Sequence, residues 1–249
     1  MRSSRWGWVL GLAALAGLTL ARDAGAAAEV HRMSLVLSAI PTSVDGGDFN
    51  HLIDNINSTA LTPRGLEGMD PIGFAWLFQV DFRYFVRQNV AITAGVGQMK
   101  ATTNREYLPF LQAAVQLHGE VLSVPVQVGG AYYLAPYNQG DFQARAFFGA
   151  GMYSLVYNRA VFQQEAYGIP GVPNIHLSGT QDSPGYYLEF GAHMFFASRF
   201  SVILSGIYRS ARIENLVDES TGQPFQPLGH PFTLDMTGLG ARGGLAIGF

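Results

Sequence analysis

From His31 onward the chain repeats one pattern, a run of roughly 10 to 15 alternating residues followed by a connector. Side chains alternate sides along a strand, so each run sorts its residues onto two faces. In 73–86 one face reads Phe74, Trp76, Phe78, Val80, Phe82, Tyr84 and Val86, and the other Ala75, Leu77, Gln79, Asp81, Arg83 and Phe85. In 121–135, Leu122, Val124, Val126, Val128, Gly130 and Tyr132 oppose Ser123, Pro125, Gln127, Gly129, Ala131 and Tyr133. In 185–197, Tyr186, Leu188, Phe190, Ala192, Met194 and Phe196 oppose Tyr187, Glu189, Gly191, His193 and Phe195. Further runs at 31–41, 90–102, 142–157, 200–213 and 235–249 bring the number of predicted strands to eight.

A soluble lipocalin-like or sandwich protein also alternates in this way. Three features favour a membrane barrel. The second face is too poor in Lys, Glu and Asp to be a solvated surface, and it is rich in glycine and small residues that suit a crowded interior. Aromatic residues end the apolar face, as in interfacial girdles. Only 13% of residues are charged and 48% are hydrophobic, where an ordinary soluble domain carries about a quarter charged. Beyond the first 28 residues, no segment approaches the roughly 20 apolar residues of a membrane helix. A closed barrel then remains as the way to satisfy the backbone in lipid. The chain has no cysteine, which excludes a disulfide framework, a thiolate metal site and a cysteine nucleophile.

The N-terminus reads as a secretory signal peptide over 1–28. Arg2 and Arg5 precede an uncharged apolar run from Trp6 to Ala21, then the small residues Ala24-Gly25-Ala26-Ala27-Ala28. Cleavage is expected after Ala26 or Ala28, leaving a barrel domain at 29–249; a retained anchor is the alternative, disfavoured by the short run. The mature chain keeps 12 basic and 17 acidic residues, a net charge of −5, and shows no nucleic-acid footprint. Connectors after the second, fourth and sixth strands are tight (Arg87-Gln88-Asn89, Pro136 to Asp141, Ser198-Arg199), whereas those after the first, third, fifth and seventh are long and polar. That asymmetry places the short turns, and both mature termini, on the periplasmic side of an outer membrane.

The last run places Leu239, Ala241, Gly243, Leu245, Ile247 and Phe249 on one face and ends on the aromatic. It resembles the C-terminal signature of bacterial outer-membrane proteins, with Leu245, Ile247 and Phe249 as the assembly signal. The resemblance is to the small eight-stranded barrels of the OmpA, OmpX and OmpW types. It implies an all-β, antiparallel up-and-down transmembrane barrel, outer-membrane lipid and lipopolysaccharide as surroundings, and the barrel-assembly machinery as a partner. No motif identifies one member or an external ligand.

Eight strands leave an interior that side chains nearly fill. The inward register holds Arg32, Gln79, Asp81, Arg83, Gln127, Arg145, Glu189, His193, Arg209 and Arg242. Counting upward from the periplasmic turns predicts a Glu189–Arg209–Arg242 cluster, with Asp81 and Arg83 serving the lower half. A network that locks the interior is favoured over a narrow, anion-preferring conduit of the OmpW kind. In the first outer loop, Phe49, Leu52, Ile53 and Ile56 share one helical face, with Asp48 as N-cap. Such a helix covers the barrel mouth, lies on the headgroups, or is replaced by a self-packed loop. Asp45, Asp48 and Asp54 lack the spacing of a calcium loop, no histidine has metal-ligand spacing, and no cofactor is implied. His176, Ser178 and Glu189 superficially resemble the set of lipid A deacylases. The first two fall in an outer loop and the third inside the barrel, so a non-enzymatic protein acting through its outer loops is the expectation.

Overall fold

The computed structural model describes residues 31–110, 113–167, 174–196 and 199–249. The expected leader at 1–28 and Ser198 of the third tight turn lie outside them. Most of the described residues are in strands: β1 (Met33–Ser43), β2 (Phe74–Arg87), β3 (Val90–Phe110), β4 (Ala113–Tyr133), β5 (Tyr137–Gln139), β6 (Phe142–Tyr167) and β7 (Ile175–Thr180). There follow β8 (Ser183–Phe195), β9 (Phe200–Ser210), β10 (Arg212–Ile213), β11 (Val217–Asp218), β12 (Leu234–Asp235) and β13 (Gly238–Gly248). One α-helix, α1 (Asp48–Ile56), follows β1.

The long strands form an antiparallel up-and-down sheet. The pairings run β1–β2, β2–β3, β3–β4, β4–β6, β6–β8, β8–β9 and β9–β13, and β13 also pairs with β1. Burial alternates along the strands in the predicted faces. In β2, Phe78 is 59% exposed and Asp81 1%. The enclosed face therefore carries the charges, and the outward face the large apolar side chains.

Three strands are longer than the alternation predicts. β3 and β4 stay paired from Thr103↔Gly119 up to Phe110↔Ala113, where a loop was expected. β6 runs on to Tyr167 and adds β7 as its neighbour, with β11 beyond. Where neither face of a strand is continuously apolar, hydropathy falls silent while the hydrogen-bond ladder continues. The predicted 200–213 strand ends at Ser210, and Arg212–Ile213 turn away to pair with Leu234–Asp235.

This extension supports an apolar core at the end away from the short turns. Phe49, Leu52 and Ile53 of α1 bury with Leu61, Met69 and Ile72 against Leu117, Val121 and Phe162 of the sheet and Phe225, Phe232 and Met236 of the last outer segment. The helix packs on the buried face of the sheet, against Ile40 and Leu77 as well as the extension. Its cap differs from expectation: Gly47, at φ 56°, is the N-cap and Asp48 is the first helical residue. The Asp48 carboxylate instead accepts the Thr233 N–H at 2.8 Å, tying the helix to the last outer segment. The Asn50 amide closes the loop base, donating to the carbonyls of Asp45 (2.6 Å) and Ile72 (2.9 Å) and accepting from Ile72 N–H (2.7 Å).

Candidate functional site

Alternation along β1, β2, β4, β8, β9 and β13 aims their polar residues onto the buried face, where they sort into layers. Arg242 occupies the middle layer. Its Nη2 pairs with Asp81, its Nη1 lies 3.3 Å from Glu189 Oε1, and its Nε donates to Ser38 Oγ at 2.8 Å. Neutral donors reach the same carboxylates. Asp81 Oδ1 accepts from Gln79 (2.6 Å) and Gln127 (2.7 Å), and Glu189 Oε1 from Ser205 (2.6 Å). Arg242, Asp81 and Glu189 are all buried, and each carboxylate combines an ion pair with at least one neutral donor, the arrangement in which ions persist away from water. Backbone approach is part of it. A Cβ on Gly95 of β3 would overlap the Asp81 carboxylate, so only glycine leaves room there.

Toward the short turns, Arg83 donates to the Tyr133 hydroxyl and lies 5.3 Å from the Phe147 ring centre. Arg145 sits 5.3 Å over the Tyr133 ring and donates to Gln88 O at 2.5 Å. Tyr133 OH is 3.2 Å from His193 Nδ1, whose other ring nitrogen is 2.8 Å from Ser201 Oγ. Phe85, Phe147 and Phe195 complete this aromatic layer. These two guanidiniums rest on ring faces and neutral oxygens, which stabilise a cation less than a carboxylate does.

Toward the outer end, Arg209 donates to Met236 O and Thr42 Oγ1, both at 3.2 Å. A cavity of about 20 Å³ lies between this layer and the middle one, lined in part by Leu77, Tyr153, Tyr187 and Ile207. A single water needs about 10–15 Å³. Above it sits the apolar core under α1.

The expected cluster is therefore rearranged. Glu189 and Arg242 meet, but Arg209 stands apart and Asp81 takes its place. The registers explain the difference: Arg242 pairs with Ser205 and Gly238 with Arg209, putting Arg209 four residues farther along β9, about 13 Å. Counting heights from the turns ignored this stagger. Arg83 turns to Tyr133 rather than to Asp81. Arg32, expected inside, is exposed and stacks 5.4 Å from the Tyr84 ring on the outward face. Leu245 and Phe249 face outward, and the Phe249 ring is 6.4 Å from Phe82. Ser38 and Ser205 went unremarked in the sequence, although the alternation places both inward.

His176, Ser178 and Glu189 do not converge. Glu189 is inside, while His176 and Ser178 lie on β7 of the outer extension. Ser178 Oγ donates to Glu219 at 2.6 Å and accepts from Arg159 Nε at 3.3 Å, and His176 Nδ1 is 2.9 Å from the Gln163 amide. The Ser178 hydroxyl, and then Arg159, hold the Glu219 carboxyl below its usual range. Among the described residues, no three His, Asp or Glu side chains gather for a metal ion, and no described helix is long and apolar enough to cross a membrane.

No protein-family model matches the chain, and no curated protein matches it in sequence. Among solved structures it is similar to Neisserial surface protein A, at 10% identity and a TM-score of 0.44 over 87% of this chain and 97% of that one. It is similar also to the N-terminal β-barrel domain of Pseudomonas aeruginosa OprF, at 12% identity and a TM-score of 0.35 over 87% and 97%. A third is Ail, the attachment invasion locus protein of Yersinia pestis, at 11% identity and a TM-score of 0.34 over 86% and 95%. These neighbours are small outer-membrane β-barrel proteins.

Proposed function

We propose that the chain is a bacterial outer-membrane protein whose eight long strands close into a transmembrane barrel. Its interior is filled, and it acts without catalysis through its outer surface, in binding or in envelope integrity. The observation that carries this reading is the reversed burial. Phe74, Trp76, Phe78 and Phe82 stand outward while Asp81, Arg83, Glu189 and Arg242 are enclosed. A continuous apolar band of this kind is unfavourable in water and fits a hydrocarbon layer. The pairing of β13 with β1 supports closure, since it leaves neither strand with a free edge in lipid.

In this reading the tight turns and termini are periplasmic and the α1 end is external. Outer-membrane lipid and lipopolysaccharide surround the band, and the assembly machinery engages the strand ending at Phe249. The Arg242 layer, the aromatic layer and the α1 core in series support a plug over a conduit. The test is outer-membrane fractionation with a heat-dependent gel shift, followed by bilayer recording. The barrel should shift on heating and hold a conductance near baseline. A large steady conductance sinks the filled interior. Fatty acid released from purified lipopolysaccharide would restore the hydrolase.

A further inference from the structure

The outward face of the β3–β4–β6 extension is the same face that carries the apolar band below it. On β3 the outward residues pass from Ile92, Ala94 and Val96 through Lys100 to Thr102, Asn104 and Glu106; on β4 they pass from Val128, Val126 and Leu122 to Glu120, His118 and Gln116. Lys100 and Glu120 form a 2.7 Å ion pair where the chemistry changes. The opposite face of the extension is covered, with Leu117, Val121 and Phe162 buried beneath α1. The outward face is open, and a hollow of about 660 Å³ lies over it.

Its side chains stand in cross-strand rows. Asn104, His118, Gln163 and His176 are in register across four strands, and Glu106, Gln116 and Glu165 form the next row. Neighbours within the rows hold each other in place. Asn104 Oδ1 meets His118 Nδ1, Gln163 meets His176 at 2.9 Å, and Gln116 donates to Glu106 at 3.0 Å. The Tyr167 ring is exposed at the far end.

We infer that this platform holds the saccharide headgroup of a lipid in the adjoining leaflet, an inference that rests on the band being embedded in a membrane. Continuity names the occupant. A lipid whose acyl chains lie against Ile92, Val96 and Val126 carries its headgroup to the height of Lys100 and its sugar against the rows above. Amide, imidazole and carboxylate groups repeat there at about 4.8 Å between strands, fixed before any ligand arrives. Together they offer both donors and acceptors to hydroxyls. Glu106, Glu120 and Glu165 face Lys100, while Arg159, in the same row as Lys100, is paired with Glu219 at 3.0 Å; the surplus of carboxylates selects a neutral, hydroxyl-rich sugar over a phosphorylated one.

The test uses the full mature chain in phosphatidylcholine vesicles doped with digalactosyl-diacylglycerol or, in a second arm, with phosphatidic acid of the same acyl chains. Lipid retained after extraction is measured by native mass spectrometry. The wild type should retain the galactolipid preferentially, and N104A/Q116A/Q163A should lower retention about tenfold with the heat-dependent gel shift unchanged, as loss of a few modest hydrogen bonds predicts. Undiminished retention by the variant, or equal retention of the phosphatidic acid, overturns the platform and leaves the membrane reading standing. Failure of the wild type to enter vesicles overturns both.

Discussion

Arg242 binds two buried carboxylates with one guanidinium, so its loss leaves both Asp81 and Glu189 without their ion-pair partner. Arg242→Met should therefore destabilise the protein by about 3–5 kcal/mol, the range for breaking a buried pair, read as a fall in denaturant midpoint in micelles. Adding D81N and E189Q to that variant should recover most of the loss, because the polarity that needed a partner goes too. Outside the band, Asp218 accepts from the Ser220 hydroxyl and from the Thr221 N–H, which push its carboxyl down to about 2 from 3.8. A depressed carboxyl stabilises the folded loop above its unfolded pKa, and that contribution is lost as pH falls through the folded value. The 218–223 turn should thus hold at pH 4 and loosen toward pH 2. Ser220→Ala should move the Asp218 midpoint upward in a carboxyl NMR titration. Alternation alone told that Arg242, Asp81 and Glu189 point inward. It could not tell which of them meet, because a partner in a barrel is set by the stagger between strands that one strand's sequence does not carry.

At the scale of elements, α1 was readable from the spacing of Phe49, Leu52, Ile53 and Ile56, which fixes an apolar helical face wherever the helix lies. Its location was not readable, since the residues that receive it, Leu117, Phe162, Phe225 and Phe232, come from distant segments. The extension of β3, β4 and β6 was missed for a related reason. Thr103, Asn104, Arg105 and Glu106 offer no apolar face, and their strand conformation comes from pairing with Leu117 and its neighbours. Phe49 is 1% exposed in that core. Phe49→Ala should weaken the cap by about 3–5 kcal/mol at most, read as faster proteolysis within 46–72, while the gel shift of the barrel stays as it was. Equal loss of both would mean that cap and barrel unfold as one unit.

For the molecule as a whole, the reversed burial was the most legible property, because the pattern is written in every long strand. Phe249 belongs to this scale. Phe249→Ala should lower the amount reaching the outer membrane several-fold while the heat-dependent shift of the assembled fraction is retained, with fractionation of whole cells as the check. A buried polar face was expected from the alternation, yet its separate aromatic, ionic and apolar layers appear only once the registers are known.

The β1–β13 pairing joins positions far apart along the chain; Ser38 and Arg242, which meet beside it, are 204 residues apart. Hairpins such as β3–β4 close short loops, but this seam closes nearly the whole polypeptide, and closure of that length is entropically the most demanding contact in the fold. A nascent molecule can organise its middle early, yet it stays an open, sticky ribbon until its two margins find each other. Its time of greatest vulnerability to aggregation is therefore the interval before that seam forms, whatever the stability of the finished fold.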